Sequence, residues 1–343
     1  MNNATFFPLV VADIGGTNAR FGIASGEKDQ HGRFSITRQK VFQCAEYTTF
    51  EDVFAAYLKH INDMTPKYAC VAVAGPVISD RVKLTNLSWD FSVEAVRQHF
   101  QFDNIKAIND FGAQAYSTLY LQESELITIY PGISNNDNKS ELSRTIIGPG
   151  TGLGVAGLIK TDDHWLPLCG ESGHASFSPL NDMQVKVRDA LLTILQKSAP
   201  TIKHVSIENL ISGPGLVNIY TALCQIDNVE PKPFSPIDIS NNAAKRNNEQ
   251  CVNALSLFCD VLGAAAGDIA LTMGAFGGVY LSGGILPKVF EELGDSCMLD
   301  SFLNKGVMTD LVKSMPVYLV TAEMHALAGA AHMMVDMLEA EPN

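Results

Sequence analysis

The chain has 343 residues, 46 % of them hydrophobic and 18 % charged, which allows two domains of ordinary size and excludes global disorder. A formal net charge of −13, with no run of Lys or Arg, speaks against a nucleic-acid or anionic-membrane surface as partner. Seven scattered cysteines form no CxxC pair, the usage expected of a reducing cytoplasm, and the first apolar run, broken by Asp13 and without preceding basic residues, is not expected to be a signal peptide.

In chain order, "PLVVADI" and "ARFGIA" predict two strands of a hairpin around a Gly-Gly-Thr turn. "TFEDVFAAYLKHIND" has helical spacing of Phe50, Val53, Phe54 and Leu58, with Thr49 placed to cap it. "YACVAVAGPV" predicts a buried strand stopped by Gly75-Pro76, and "NIKAIND" another that leads into a helix at "FGAQAYSTLYL". Strands alternating with helices predict an α/β layer architecture. "PGISNNDNKSEL" from Pro131 and "DNVEPKPFSPIDISNNAAKRNNEQ" from Asp227 are expected to be surface loops. "VNALSLFCDVLGAAAGDIALTMGAF", the longest apolar stretch, contains Asp260 and Asp268 and is expected as a buried helix rather than a membrane span.

The opening hairpin has a second copy. "TIIGPGTGLGVAGLI" (145–159) repeats strand, Gly-Thr turn and strand, and Gly16-Thr17 aligns with Gly150-Thr151 without a gap. Glycine turns expose backbone N–H groups to an anion such as a phosphate, and Thr17 and Thr151 add hydroxyl donors. Two tight hairpins without a ligand would read alike. Neither is a Walker loop, and neither is a GxGxxG turn opening a helix. Only the first carries an acid, Asp13, which as a ligand would orient Mg²⁺ directly or through water beside terminal phosphates.

"IKAINDFGAQA" puts Asn109 and Asp110 where a strand gives way to a helix. Asp110 there is equally an N-cap or a carboxylate that takes the proton of a hydroxyl attacking phosphorus. "LCGESGHASF" brings Glu171 and His174 together in an irregular loop near Cys169, a pairing that suits polyol hydroxyls and is weak as a metal site. Glu208 in "HVSIENLISGPGLVNIY" sits on a short helical segment, where a single Glu is usually a solvated charge. "GAFGGVYLSGGILPKVFEEL" runs strand, Gly283-Gly284, then helix with Pro287 in its first turn. A flat ring fits against two such glycines, and so does an ordinary strand–helix connection.

Taken in order, "DIGGTNAR" (13–20), "AVAGPV" (72–77), "LTNLSW" (84–89), "INDF" (108–111), "GPGTGLGVA" (148–156), "GESGH" (170–174), "ISGPGLVNIY" (211–220) and "GGVYLSGGILP" (277–287) resemble bacterial glucokinases. These are hexokinase-type enzymes that phosphorylate glucose with ATP and share a fold with actin and the 70-kDa heat-shock proteins. The resemblance implies a two-domain actin-like ATPase (ribonuclease H-like) α/β fold with an active-site cleft between domains. It implies a small domain of residues 1–119 plus 321–343 and a large one of 120–320. By likeness, Asp13, Ile14, Gly15, Gly16 and Thr17 bind ATP phosphates and Asp13 positions Mg²⁺, possibly through water. Gly150, Thr151 and Gly152, within Gly148 to Gly154, form the second phosphate segment, and Gly283 and Gly284 contact adenosine. Asn109, Asp110, Glu171, His174 and Glu208 bind D-glucose, with Asp110 the general base for its 6-hydroxyl. A homodimer in the cytoplasm is implied as well, with no nucleic-acid or membrane partner.

The likeness has departures. Ser172 stands where the family's sugar loop reads Gly-Glu-Gly-Gly-His, and "TAEMHALAGAAHMM" matches the closing helix only loosely. The cysteine-rich zinc motif of the neighbouring sugar-kinase and repressor family is absent. A kinase of another hexose or with another phosphoryl donor is the alternative, and a non-catalytic sugar sensor on the same fold a more distant one.

Overall fold

In a computed structural model of the chain, which describes residues 6–84, 87–133, 141–162, 164–293 and 296–340, the first apolar run becomes a central strand, β1 (Leu9–Ile14). It pairs antiparallel with β2 (Asn18–Lys28), which pairs antiparallel with β3 (Phe34–Gln43). α1 (Phe50–His60) follows, held by a capping box in which Thr49 and Asp52 exchange hydrogen bonds. β4 (Tyr68–Val73) runs parallel to β1, and β7 (Asn104–Asn109) parallel to β4, giving the order β3-β2-β1-β4-β7. Between them lie the small pair β5 (Arg81–Lys83) and β6 (Asp90–Ser92) and helix α2 (Val93–Phe100). α3 (Asp110–Ser117) leaves β7 directly, and η-turn 123–125 precedes β8 (Leu126–Tyr130).

β9 (Arg144–Pro149) and β10 (Leu153–Lys160) flank the second glycine turn, and β11 (Trp165–Gly170) pairs with β10. Helices α4 (Asp182–Ser198), α5 (Gly213–Ile226), α6 (Pro236–Ala244) and α7 (Glu249–Met273) follow. Then come β12 (Gly278–Leu281), α8 (Leu286–Leu293), α9 (Ser296–Leu303), α10 (Thr309–Val312), β13 (Val317–Val320) and α11 (His325–Ala340).

The chain divides into one unit of Met1–Leu126, Ala156–Gly170 and Ala322–Asn343, and another of Ile127–Val155 and Glu171–Thr321. Compared with the expected division at 119/120 and 320/321, the first unit extends seven residues further, starts its last segment one residue later, and takes in the β10–β11 hairpin from Ala156.

In the first unit β1 is paired on both edges by β2 and β4, and its side chains are almost completely buried by α11 and by the core that includes α1. One core is aromatic: Phe21 stacks on Tyr57 at 4.8 Å, and Phe50 on Phe91 at 4.1 Å. α11 packs against α3, β1 and β4, so the C-terminal helix belongs to the same unit as the first hairpin. In the second unit β12 lies parallel between β9 and β13, with β8 beyond β13. α7 is the long apolar stretch; 78 % of its most apolar window is buried, and it packs against α5, α6 and α9 as a core helix.

Two expectations need correction. The polar stretch from Asp227 is not a loop throughout: α6 forms inside it, started by a capping box between Ser235 and Asp238 with Pro236 at the first helical position. Ile239 and Ala243, four apart, are buried and anchor it. Counted from the strand ends, Gly15 rather than Gly16 is the position in its hairpin equivalent to Gly150, one residue away from the gapless Gly16–Gly150 alignment. The other predicted loop falls largely at 134–140, outside the described residues.

Candidate active site

In the first unit, β1 carries Asp13 to its end and Gly15, Gly16 and Thr17 make the turn. Gly15 N–H donates to the Asn18 carbonyl at 3.0 Å, and Thr17 is exposed. The Ile14 side chain is fully buried and its carbonyl accepts from Ala74 N–H at 3.0 Å, so it has little but its position in the main chain to offer a ligand. Hairpin register sets Asp13 opposite Arg20, and Arg20 Nη1 lies 3.4 Å from Asp13 Oδ2. Burial lifts the Asp13 carboxyl above the usual carboxylate range, against the opposing pull of Arg20. Arg20 was not singled out in the sequence: counting outward from Gly15–Thr17 pairs Asp13 with Ala19, and the register reaches Arg20 only because Asn18 also belongs to the connection.

Such a carboxylate, only partly compensated by one long ion pair, fits a hydrated cation. Among the described residues no group of three or more His, Cys, Asp or Glu side chains is assembled for a metal. Magnesium keeps several waters and commonly takes one or two protein carboxylates, a requirement a single Asp13 fits, whereas a zinc site needs more protein ligands.

At the same end of the same sheet, two strands from β1, β7 feeds straight into α3. The cap is Asn109, not Asp110: Asn109 Oδ1 accepts from Gly112 N–H at 3.0 Å, and its Nδ2 donates to the Gly75 carbonyl at 3.1 Å. Asp110 is the first residue inside the helix, with Oδ1 accepting from Phe111 N–H at 2.9 Å. The cap reading of Asp110 therefore passes to its neighbour, which is the better cap because its amide serves the helix and the end of β4 together. Cys169 of β11 approaches this turn. It is exposed as a residue, its sulfur lies against Gly112, and desolvation together with the charge of Asp110 pushes its pKa up to about 11.

The second unit gathers the remaining candidates. Gly150 N–H donates to the Gly152 carbonyl at 2.8 Å, and the Gly150 carbonyl accepts from Gly213 N–H at 2.8 Å at the start of α5. Thr151 is exposed at the tip of this turn. Gly283 has φ +113°, a conformation that favours glycine, and packs against Pro149 at the end of β9. Beside Gly150 and Gly284 there is open space where a Cβ would sit, so a ligand can reach the backbone there.

Glu208 is not on a helix; it sits in a hydrogen-bonded turn between Ser206 and Leu210. Its Oε2 accepts from Leu153 N–H at 2.8 Å, and its own N–H donates to the Gly173 carbonyl at 2.9 Å. His174 Nδ1 lies 3.9 Å from Glu208 Oε1. Glu171 is exposed, and its carbonyl accepts from His174 N–H at 3.0 Å. Glu171, His174 and Glu208 are thus brought together with the second glycine turn. Ser172 lines a cavity of about 280 Å³ with Phe177, Ile207, Ala264, Ala265 and Ile269.

Comparison with known proteins agrees in kind. A family model described as Glucokinase matches residues 10–337. A glucokinase of Saccharophagus degradans is 40 % identical over 325 residues, covering 95 % of this chain and 97 % of its own. The crystal structure of a glucokinase from an Antarctic psychrotroph superposes with a TM-score of 0.83 at 37 % identity, over 96 % of this chain and 99 % of that one. A ROK family glucokinase from Streptomyces griseus, solved in complex with glucose and AMPPNP, shares the fold at a TM-score of 0.61 and 18 % identity, over 95 % and 98 %.

Proposed function

This chain belongs to the glucokinase family, and from that premise we propose how its residues divide the work of phosphorylating D-glucose with ATP. Asp110 accepts the proton of the sugar's 6-hydroxyl as that oxygen forms a bond to the γ-phosphorus and the bond to the ADP oxygen breaks. Glucose 6-phosphate and ADP leave, and the proton passes from Asp110 to solvent. The observation that carries this role is that Asn109 caps α3, so Asp110 is not required there as the cap.

Asn109 holds the turn and has a second amide hydrogen for a sugar hydroxyl. Glu171 and Glu208 accept from hydroxyls of the hexose, and His174 donates or accepts according to its tautomer. The turn of Asp13, Ile14, Gly15, Gly16 and Thr17 and that of Gly150, Thr151 and Gly152 offer N–H and hydroxyl donors to the phosphates. Gly284 leaves the backbone open to adenosine, and Gly283, packed against Pro149, holds the turn that presents it. Asp13 would hold Mg²⁺ through water, and the cation, when bound, neutralises charge on the transferring phosphate.

The reading extends to a homodimer in the cytoplasm. Cys44, Cys70, Cys169, Cys224 and Cys251, which form no disulfide, support the compartment, and the dimer rests on the family resemblance. A coupled assay over a panel of hexoses and donors tests the function. Glucose with ATP and Mg²⁺ is expected to give the highest kcat/KM; a higher value for another hexose or for polyphosphate would replace this assignment.

A further inference from the structure

We propose that Cys169 is a positioning residue for Asp110: its thiol seats against Gly112 in the first turn of α3 and sets the direction in which that turn presents the carboxylate. This rests on the reading of Asp110 as the base. A Cβ built on Gly112 would lie 2.6 Å from Cys169 Sγ, well inside van der Waals contact, and 3.9 Å from Pro167 Cβ on the same strand. β11 and the first turn of α3 therefore meet across a bare glycine on one side and a small thiol on the other. Gly112 is also the residue whose N–H is capped by Asn109, so pressure on it bears on the cap and on Asp110 two residues before.

β11 ends one residue after Cys169, at Gly170, and Glu171 follows directly in the chain. The chemistry of the side chain suits the place. The thiol, kept protonated well above neutral pH, adds no second negative charge beside Asp110. Cysteine turns about a single side-chain torsion, so the contact yields only if the thiol swings off the helix or the helix turn shifts. A displacement of about 1 Å at a reacting group costs up to roughly 10²-fold in rate.

The test is a size-exchange cycle on the full-length protein. Gly112→Ala is expected to lower kcat at least ~10-fold while glucose affinity, measured without nucleotide, changes little. Adding Cys169→Ala to it removes the opposing thiol and is expected to restore most of the lost kcat. A kcat for Gly112→Ala close to that of the parent, or a loss that Cys169→Ala fails to repair, overturns the proposal. Should Gly112→Ala not accumulate in folded form, Cys169→Val crowds the same contact from the strand. It is expected to lower kcat with an unchanged melting temperature, and an unchanged kcat overturns the proposal equally. Asp110→Asn, assayed alongside, separates the two ideas. An inactive Asp110→Asn with a normal Gly112→Ala removes the positioning role alone, whereas an active Asp110→Asn removes the base itself.

Discussion

Glu208 Oε2 accepts a hydrogen bond from Leu153 N–H at 2.8 Å, which joins the second glycine turn to the turn facing His174. In the proposed reading one carboxylate thereby serves two tasks, shaping a phosphate-facing turn and meeting a sugar hydroxyl. A hydrogen bond to a charged group contributes about 1.5–3 kcal/mol, so its loss is felt in affinity.

Glu208→Gln keeps an acceptor for Leu153 N–H but loses the charge facing His174, while Glu208→Ala loses both. The KM for glucose is expected to rise roughly tenfold or more in each variant. The KM for ATP is expected to rise only in Glu208→Ala. Steady-state kinetics with each substrate varied in turn checks this, and an unchanged ATP KM in Glu208→Ala would break the proposed link.

Asp13→Ala should raise the Mg²⁺ concentration for half-maximal rate roughly tenfold, the lower end for losing a group that supports a metal. It should also weaken use of ATP, leaving Arg20 without its partner carboxylate. Initial rates titrated with MgCl₂ at fixed ATP give the answer; an unaltered titration counts against Asp13 as the metal's anchor.

The pH dependence of stability has a source remote from the site. His332 on α11 stacks between Tyr120, at 3.7 Å, and Phe34, at 4.2 Å, and its Nε2 accepts from Phe34 N–H at 3.1 Å. Desolvation, helped by the charge of Lys28, pushes its pKa down to about 3. An imidazole that is neutral when folded and protonates near 6.5 when unfolded contributes stability that is complete above 6.5. That stability is lost as the pH falls from there toward 3. Burial lowers His325 as well, with the same sign. The melting temperature is expected to drop between pH 6.5 and 5, before most carboxylates titrate, and to drop less in His332→Phe. Equal slopes in the two proteins would remove His332 as the cause.

Much of the architecture was legible in the chain because it is local. Alternating apolar residues around Gly15–Thr17, the Thr49 cap and the strand ending at Asn109 each announce themselves within a dozen residues. What stayed hidden depends on neighbours distant in sequence. Asn109 and Asp110 are comparable caps on paper, and the carbonyl of Gly75 decides between them. Glu208 looked like a solvated charge because Leu153, its partner, lies 55 residues away. α6 was concealed by its polar composition, although Ser235, Pro236 and Asp238 carry the signature of a helix start.

The central claim is that the carboxylate of Asp110 takes the proton during phosphoryl transfer. Rapid-quench measurement of glucose 6-phosphate formation by Asp110→Asn, at saturating glucose, ATP and Mg²⁺, tests it most directly. The expected transfer rate is lower than that of the parent by at least ~10², with the fold intact by circular dichroism. A rate within a few-fold of the parent would contradict the account.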